Sequence, residues 1–419
     1  RGPFLRSARS SLAARSLFGL RGLGWVPNTK IRPPKYIARS PRDSEDPTNL
    51  GSLTEAGDDF YRARLDVWKD RQELKRAART SLHEDELTWI STAQDVRCAL
   101  LVSPQTGFDT WGIETLLAEV PPGWKTGRHI HGEEAIYVVD GRGCIVVDGI
   151  RYDVYPGTTL GVPCGSEHQL FNAGPDPLTY LSATAYPLER YLGVYRLEQV
   201  EERGRIDTIP QQPVSENGYD QKGRRTRLLW EEALYRDGSV GLRAWLEARI
   251  RGGVDLRQRD TSGAPGARNQ AARLASGIGH HSAWIQLMSG PRRRDFSNRL
   301  ALISGLLIEN PGAHSGRHAH MEAIIYVLQG HGYSVIDGEK IPWRPGSSLH
   351  VQGPQSQHQH FNTGSEPAFM LRIASGLRPY IERSVKEIFP FLWFEARGSG
   401  KAAADGSASE TAGDKRPDS

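Results

Sequence analysis

From Trp111 to Tyr186 the chain is written in short apolar runs bounded by Gly, Pro, Asp or Asn: ETLLAEV, EAIYVVDG, GCIVVDG, TTLGVP and QLFNAG. Runs this short, rich in Val, Ile, Leu and Tyr and punctuated by turn residues, predict β-strands. From Leu300 to Arg378 the same texture returns, and turns such as VDGI (Val147–Ile150) and IDGE (Ile336–Glu339) lead from strand to strand. Elsewhere the period changes. Between Asp58 and Thr80, Tyr61, Leu65, Trp68 and Leu74 fall at helical spacing, with acids leading and bases following, which predicts an amphipathic helix. Leu192–Ser282 is Arg-rich; LLWEEALYRDGSVGLRAWLEARI within it predicts partly helical structure, and RDTSGAPGARNQ a mobile loop. EIFPFLWFEA reads as a docked terminal segment, and the polar stretch after it has the composition of a disordered tail.

These shifts divide the chain into a basic flexible leader (1–50), a helical N-terminal extension (51–109), a first β-domain (110–190) and a helical and loop interdomain segment (191–299). A second β-domain (300–380), a C-terminal docking segment (381–396) and a disordered tail (397–419) complete it. Two domains suit a length of 419 residues. The 38% hydrophobic and 24% charged content is that of an ordinary soluble protein, and no apolar run approaches the roughly 20 residues that span a bilayer, so no membrane partner is expected. Much of the net charge of +4 sits in Arg1–Arg42, which holds no Asp or Glu. Without interleaved aromatics this leader predicts no nucleic-acid partner. Its Arg, Ser, Ala and Leu content is that of a mitochondrial transit peptide, which stands as the alternative to a cytoplasmic location. Three cysteines, Cys98, Cys144 and Cys164, cannot build a disulfide framework and suit a reducing compartment.

The two β-domains are copies of one another. GRHIHGEEAIYVVDGRG (Gly127–Gly143) and GRHAHMEAIIYVLQGHG (Gly316–Gly332) superimpose without a gap at an offset of 189 positions, the distance from His129 to His318. With one inserted residue, HQLFNAG from His168 meets HQHFNTG from His358. Residues i and i+2 of a strand face one side, so His129 and His131 point together, as do His318 and His320. A third histidine follows in each copy, His168 and His358, after several short strands. Three imidazoles converging inside a small barrel form a facial set of nitrogen ligands with open positions, suited to Fe(II), Mn, Ni, Cu or Zn. A lone histidine is more often structural. Two complete sets at matched positions favour metal binding.

At this point the pattern resembles the cupin superfamily. Gly123, His129, His131, Glu134 and Gly141 meet its first motif, with the spacer before Glu134 one residue short. Gly157, Pro163, Gly165, His168 and Asn172 meet the second; in the other copy Gly346, His358 and Asn362 remain, and Gln352 stands where the proline should. The resemblance implies a mainly β bicupin: two double-stranded β-helix (jelly-roll) barrels with helical N-terminal and interdomain segments. Strand parity turns Glu134 inward with Ile136 and Val138, and places Ala323 at the equivalent position of the second copy. The first copy thus offers His129, His131, His168 and Glu134 as metal ligands, the second His318, His320 and His358. The same parity turns Glu133 and Glu322 away, to solvent or behind the ligands. Gln169 and Gln359 are expected to face outward, and Arg128 and Arg317 to be structural. His360, two after His358, and His350 are candidates for general acid/base work, which makes the second copy the expected catalytic one.

A neutral three-histidine set with Ala in the Glu place resembles the gentisate and 1-hydroxy-2-naphthoate dioxygenases. That group implies Fe(II), a hydroxylated aromatic substrate and O2, with both oxygen atoms entering the ring-opened product. Its inward arginine two residues after the Ala is replaced here by Ile325 and Ile136, so a clamp for the carboxylate of a gentisate-like substrate would come from elsewhere, and an aromatic diol lacking a carboxylate becomes a possible substrate. The alternatives are a Mn-dependent oxalate-decarboxylase-like bicupin using Glu134, and a non-catalytic metal- or ligand-binding cupin. Tyr61–Leu74 and FPFLWF are read as contacts of a homodimer or homotetramer.

Overall fold

The computed structural model describes residues 73–235, 282–286, 288, 295–308, 312–353, 356–377 and 392–395, all within one compact unit, Trp68–Ser419. The leader, most of the Asp58–Thr80 helix, the interdomain stretch from residue 236, its RDTSGAPGARNQ loop and the C-terminal tail lie outside the described residues.

In chain order the first strands are β1 (Ser81–His83), β2 (Arg97–Leu100), β3 (Glu114–Val120), β4 (Trp124–Lys125), β5 (Arg128–His131), β6 (Glu134–Asp140), β7 (Gly143–Val147), β8 (Ile150–Val154), β9 (Thr159–Val162), β10 (Glu167–Asn172) and β11 (Leu178–Thr184). Helix α1 (Tyr186–Leu192) precedes β12 (Leu197–Glu201), β13 (Gly204–Arg205), β14 (Arg227–Leu228), β15 (Leu234–Tyr235) and β16 (Ser282–Gln286). The second copy then runs β17 (Ala301–Ile308), β18 (Arg317–His320), β19 (Ala323–Gln329), β20 (Gly332–Ile336), β21 (Glu339–Trp343), β22 (Ser347–Val351), β23 (Ser356–Asn362) and β24 (Ala368–Ser375), and β25 (Leu392–Glu395) follows.

Each copy is a barrel of two antiparallel sheets. The first is built from β14-β9-β6-β11-β3-β2 and β12-β5-β10-β4-β13, with β7 and β8 extending from β10. The second is built from β1-β22-β19-β24-β17-β16-β15 and β21-β20-β23-β18-β25. Hairpins fall where Asp-Gly predicts them: Asp148 and Gly149 have φ of 47° and 76°, Asp337 and Gly338 of 50° and 89°. Both central residues of a two-residue hairpin turn take positive φ, which suits the right-handed twist of the flanking strands.

The parts outside the duplicated region differ from the helical expectation. The described part of the N-terminal extension is helical over 73–77, but then supplies one strand to each barrel. β1 pairs with β22 of the second and β2 with β3 of the first. The interdomain segment begins as first-barrel sheet: β12 pairs with β5, β13 with β4 and β14 with β9. The sheets of the first barrel therefore continue past residue 190 to Leu228. Open sheet edges carry unpaired backbone groups, and pairing with them overrides a weak local preference. β25, within the terminal FLWFE stretch, pairs with β18.

Three apolar layers form the core. Ile136, Val138, Ile145, Tyr152, Leu160 and Leu170 fill the first barrel; Ala323, Ile325, Val327, Ile336, Leu349 and Met370 fill the second. The third layer lies between the barrels, where Ala135, Tyr137, Leu117 and Leu181 meet Ile303, Ile324, Tyr326 and Leu371. Successive residues of β6 and β19 thus alternate between a barrel interior and the inter-barrel layer.

That alternation corrects the reading of two glutamates. Glu133 and Glu322 do turn away from the histidines, but both are buried. Glu133 accepts hydrogen bonds from the backbone N–H groups of Arg299, Leu300 and Ala301 at the start of β17, at 2.7–2.8 Å. Glu322 accepts from Trp111 (3.3 Å) and Gly112 (2.9 Å), just before β3. At the offset of 189, Trp111 and Gly112 are the equivalents of Leu300 and Ala301. Each barrel thus inserts a carboxylate into the same backbone turn of the other. Leaving a buried donor unpaired costs about 1–3 kcal/mol. Glu133→Ala should therefore lower stability by roughly 3 kcal/mol, and Glu133→Gln, which keeps one acceptor, by less than half of that. The urea midpoint checks this; a shift below about 0.5 kcal/mol for Glu133→Ala would contradict the clamp.

Candidate metal centres

Cross-strand register brings the third histidine to the other two. His168 on β10 lies directly opposite His129 on β5, and His358 on β23 opposite His318 on β18. In the first barrel the ring centroids of His129, His131 and His168 are 4.2–5.0 Å apart. In the second, those of His318, His320 and His358 are 4.3–5.1 Å apart. Within each set one nitrogen per ring lies within 4.8 Å of the others.

The outer nitrogens are fixed by backbone. Nδ1 of His129 faces Gly127 O at 2.9 Å, that of His131 faces Gly132 O at 2.9 Å, and that of His168 faces Ser166 O at 3.0 Å. The second set repeats this with Gly316 (2.7 Å), Met321 and Ser356 (2.9 Å). A carbonyl can only accept, so the hydrogen-bond network assigns the proton to Nδ1 and leaves the Nε2 lone pairs converging.

In the first barrel those lone pairs meet Glu134. Its Oε2 is 3.2 Å from His168 Nε2 and 3.6 Å from His131 Nε2, and Ser182 Oγ donates to its Oε1. His168 Nε2 is buried, and the Glu134 carboxylate is the polar group it faces. Acceptors facing acceptors in a buried site require a cation or a proton between them. Burial works against the Glu134 charge, but His131 and His168 outweigh it and hold the carboxyl well below its ordinary range. Burial, and then His168 and His131, press the His129 imidazole down to about 3, so it stays a neutral donor at pH 7. Three imidazole nitrogens and one carboxylate fit a divalent ion of the Fe, Mn or Zn type.

The second set has no carboxylate at the matching position, because Ala323 stands there. All three imidazoles are 2–3% exposed. His360 lies alongside, its centroid 5.5 Å from that of His358 and its Nδ1 2.7 Å from Ser334 Oγ. Burial, reinforced by His318, pushes it down to about 3 and keeps it neutral.

The structure does not bring His350 to this centre. β22 alternates as β19 does: Leu349 and Val351 fill the second barrel, so His350 points into the inter-barrel layer. There its Nε2 meets Glu322 at 2.9 Å and its ring packs edge-on to Phe108. Gln169 and Gln359 are buried rather than outward, each donating Nε2 to a carbonyl ahead of the HxH strand, Thr126 O (2.8 Å) and Ser315 O (2.9 Å). Arg128 turns away from the metal side, toward Glu167 and Glu201.

A cavity of about 180 Å³ opens at the first set. Besides the four candidate ligands it is lined by Leu116, Leu170, Tyr180, Tyr186 and Tyr195, and by Asp95, Glu114 and Glu189. Among the described residues lining it there is no Arg or Lys. Tyr180 donates to Asp95 Oδ1 at 2.7 Å, and Ser103 donates to Glu114 Oε2 at 2.9 Å. Burial raises Asp95 to about 6, with Tyr180 opposing, and raises Glu114 to about 7, with Ser103 opposing. Sequence reasoning missed these residues. Tyr180, Ser182 and Thr184 did carry a signal, the polar side of an alternating strand, whereas nothing in the sequence around Asp95 places it near the histidines.

Comparison with known proteins agrees with this architecture. The cupin-domain family pattern matches residues 116–184 and 305–374. An uncharacterized protein of Methanocaldococcus jannaschii is 38% identical over 80 residues, 18% of this chain, and the match spans 63% of that protein's length. A variant of salicylate 1,2-dioxygenase from Pseudoaminobacter salicylatoxidans in complex with gentisate has a similar structure, with TM-score 0.54 and 13% identity over 85% of this chain and 97% of that one. Another structure of that enzyme, in adducts with gentisate, gives 0.53 and 12% over 85% and 96%. At such identities the likeness shows the fold alone. With both copies matched and both barrels closed around histidine sets, the chain carries two cupin domains in tandem and is a bicupin.

Proposed function

We propose that this bicupin is a metal-dependent dioxygenase that cleaves a hydroxylated single-ring aromatic lacking a carboxylate, with the reaction in the first barrel. The cavity at His129, His131, His168 and Glu134 carries this reading. It is smaller than the about 300–1,000 Å³ of a site for drug-sized ligands, its lining includes leucine and tyrosine side chains, and its lining acids would repel an anionic substrate. The likeness to a dioxygenase that holds gentisate supports the same class, and the absent inward arginine argues for a diol without the carboxylate.

His129, His131, His168 and Glu134 would hold Fe(II), and the three histidines of the second barrel a further ion. When bound, Fe(II) supplies a Lewis acid and an electron route between the ring and O2. The ring is oxidised and opened, O2 is reduced, and both its atoms enter the product, so no external reductant is needed. Asp95 stands in the cavity as the proton acceptor for the substrate hydroxyl, steadied by Tyr180. The Leu116 and Leu170 walls keep water from the ring. In the second barrel His360, next to His358, remains the candidate proton donor or acceptor, while the cavity supports the first barrel as the principal site. Glu134 favours a second reading, Mn-dependent oxalate-type chemistry. Against it stands the missing cation that a dianion would need.

Anaerobically purified protein should contain close to two irons per chain, falling to about one in His129→Ala and in His318→Ala, as read by elemental analysis. O2 uptake with neutral aromatic diols should be lost in His129→Ala and retained with oxalate absent. Manganese confined to the first barrel, with turnover of oxalate, would decide for the second reading. Because a base must be deprotonated, kcat/KM should rise with pH through about 6 as Asp95 ionises, and fall about tenfold per unit below it. Asp95→Asn should remove this acid limb; a limb of unchanged midpoint in the variant assigns the base elsewhere.

A further inference from the structure

The stretch from the end of α1 through β12 puts large apolar side chains in contact with water. Tyr191, Leu192, Val194, Tyr195, Leu197 and Val200 make up six of the ten residues from 191 to 200, and each is 40–86% exposed. A single exposed apolar side chain is ordinary; a run of them on one surface marks an interface. β12 is also the last strand of its sheet. Among the described strands it pairs with β5 alone, so its other edge presents a row of backbone N–H and C=O groups to a further strand.

Register fixes which way its side chains face. Leu197 and Gln199 lie opposite His131 and His129, and Glu198 opposite Ile130. Leu197 and Gln199 thus take the side of the histidines, where Leu197 and Tyr195 line the first cavity. Glu198 and Arg196, which form an ion pair with each other, take the outer side.

We propose that the outer edge of β12 pairs antiparallel with β12 of a second copy of this chain, about a two-fold axis at Leu197, so that two first barrels share one continuous sheet.

The physical reason is self-complementarity. In an antiparallel pair about a two-fold axis, residues equally far from the axis come opposite each other and share a face. With the axis at Leu197, Leu197 meets its own copy on the cavity side, and Arg196 meets Glu198 of the second copy on the outer side, twice. Tyr195 meets Gln199, and Val194 comes beside Val200. Apolar and opposite-charge cross-strand pairs stabilise a sheet, whereas like charges directly opposite destabilise it. An axis at Arg196 or Glu198 would set that residue against itself, and one at Gln199 would set Leu197 against Glu201, so the chemistry singles out Leu197. A second copy seated here covers the exposed rim formed by Tyr195 and Leu197 and keeps water from that side of the cavity. The pairing holds whatever reaction the cavity performs.

Light scattering coupled to size exclusion, on the full-length protein at micromolar concentration, tests this. The protein should be a dimer, or a larger even-numbered assembly. Arg196→Glu and Glu198→Arg should each weaken the β12 contact at least about tenfold, because symmetry makes each reversal set two like-charged pairs opposite one another. The double variant, which exchanges the charges, should recover to within about threefold of the native protein. A tetramer reduced to dimers by each single reversal supports the same contact. Amide exchange over Leu197–Glu201 should slow as the native protein associates and stay fast in Arg196→Glu. A monomer at every concentration, or an assembly unmoved by both reversals, would overturn the proposal. Slow exchange of these amides in the monomer would overturn it too, and would give the edge to a segment of the same chain.

Discussion

Strands β6 and β19 are buried on both faces, and the rest of the structure depends on that. One side of β6 carries Glu134, Ile136 and Val138 into a barrel; the other carries Glu133, Ala135 and Tyr137 into the layer shared with the second barrel. A one-residue slip would exchange the two sets, expelling Glu134 from the histidines and driving Glu133 into them. The reciprocal glutamates prevent that slip. Glu133 and Glu322 each bond backbone amides of the opposite copy, so register within a barrel and docking between barrels are fixed by the same residues. Ligand geometry is thereby tied to the inter-barrel contact, although no ligand lies in it.

Duplication kept this frame and let the interiors diverge. At matched positions the first copy has Glu134 and Leu170, the second Ala323 and His360. The first set is therefore anionic and open to a cavity, while the second is neutral and has its rings almost wholly buried. The inter-barrel layer diverged as well: His350, paired with Glu322, stands where the first copy has Gly161, whose space is taken by Asn298. A fold that is symmetric in its backbone thus offers two chemically different places.

Additions from outside the duplicated unit sharpen the difference. β12, α1 and the loop between them bring Leu197, Glu189 and Tyr195 to the first cavity, and the loop ahead of β2 brings Asp95. None of these belongs to the motif that defines the barrel. They bring carboxyl groups and a tyrosine to its lining. The scaffold carries the histidine sets, and the peripheral segments complete the cavity lining.

Period-two alternation and short turns encode much of this architecture within the chain itself. Two repeated barrels, the Asp-Gly hairpins, the pairing of His129 with His131 and of His318 with His320, and the inward direction of Glu134 all follow from neighbours a few residues apart. His168 and His358 were legible only because the same letters recur at one offset. Tertiary structure decided what depends on contacts between distant segments. β1 and β2, in an extension expected to be helical as a whole, became strands because sheet edges awaited them. Glu133, Glu322 and His350 are polar letters whose burial is invisible until a second barrel covers them, and Asp95 meets the histidines only because the chain before β2 folds over the cavity. Local periodicity sets where a side chain points; only packing sets what it meets there.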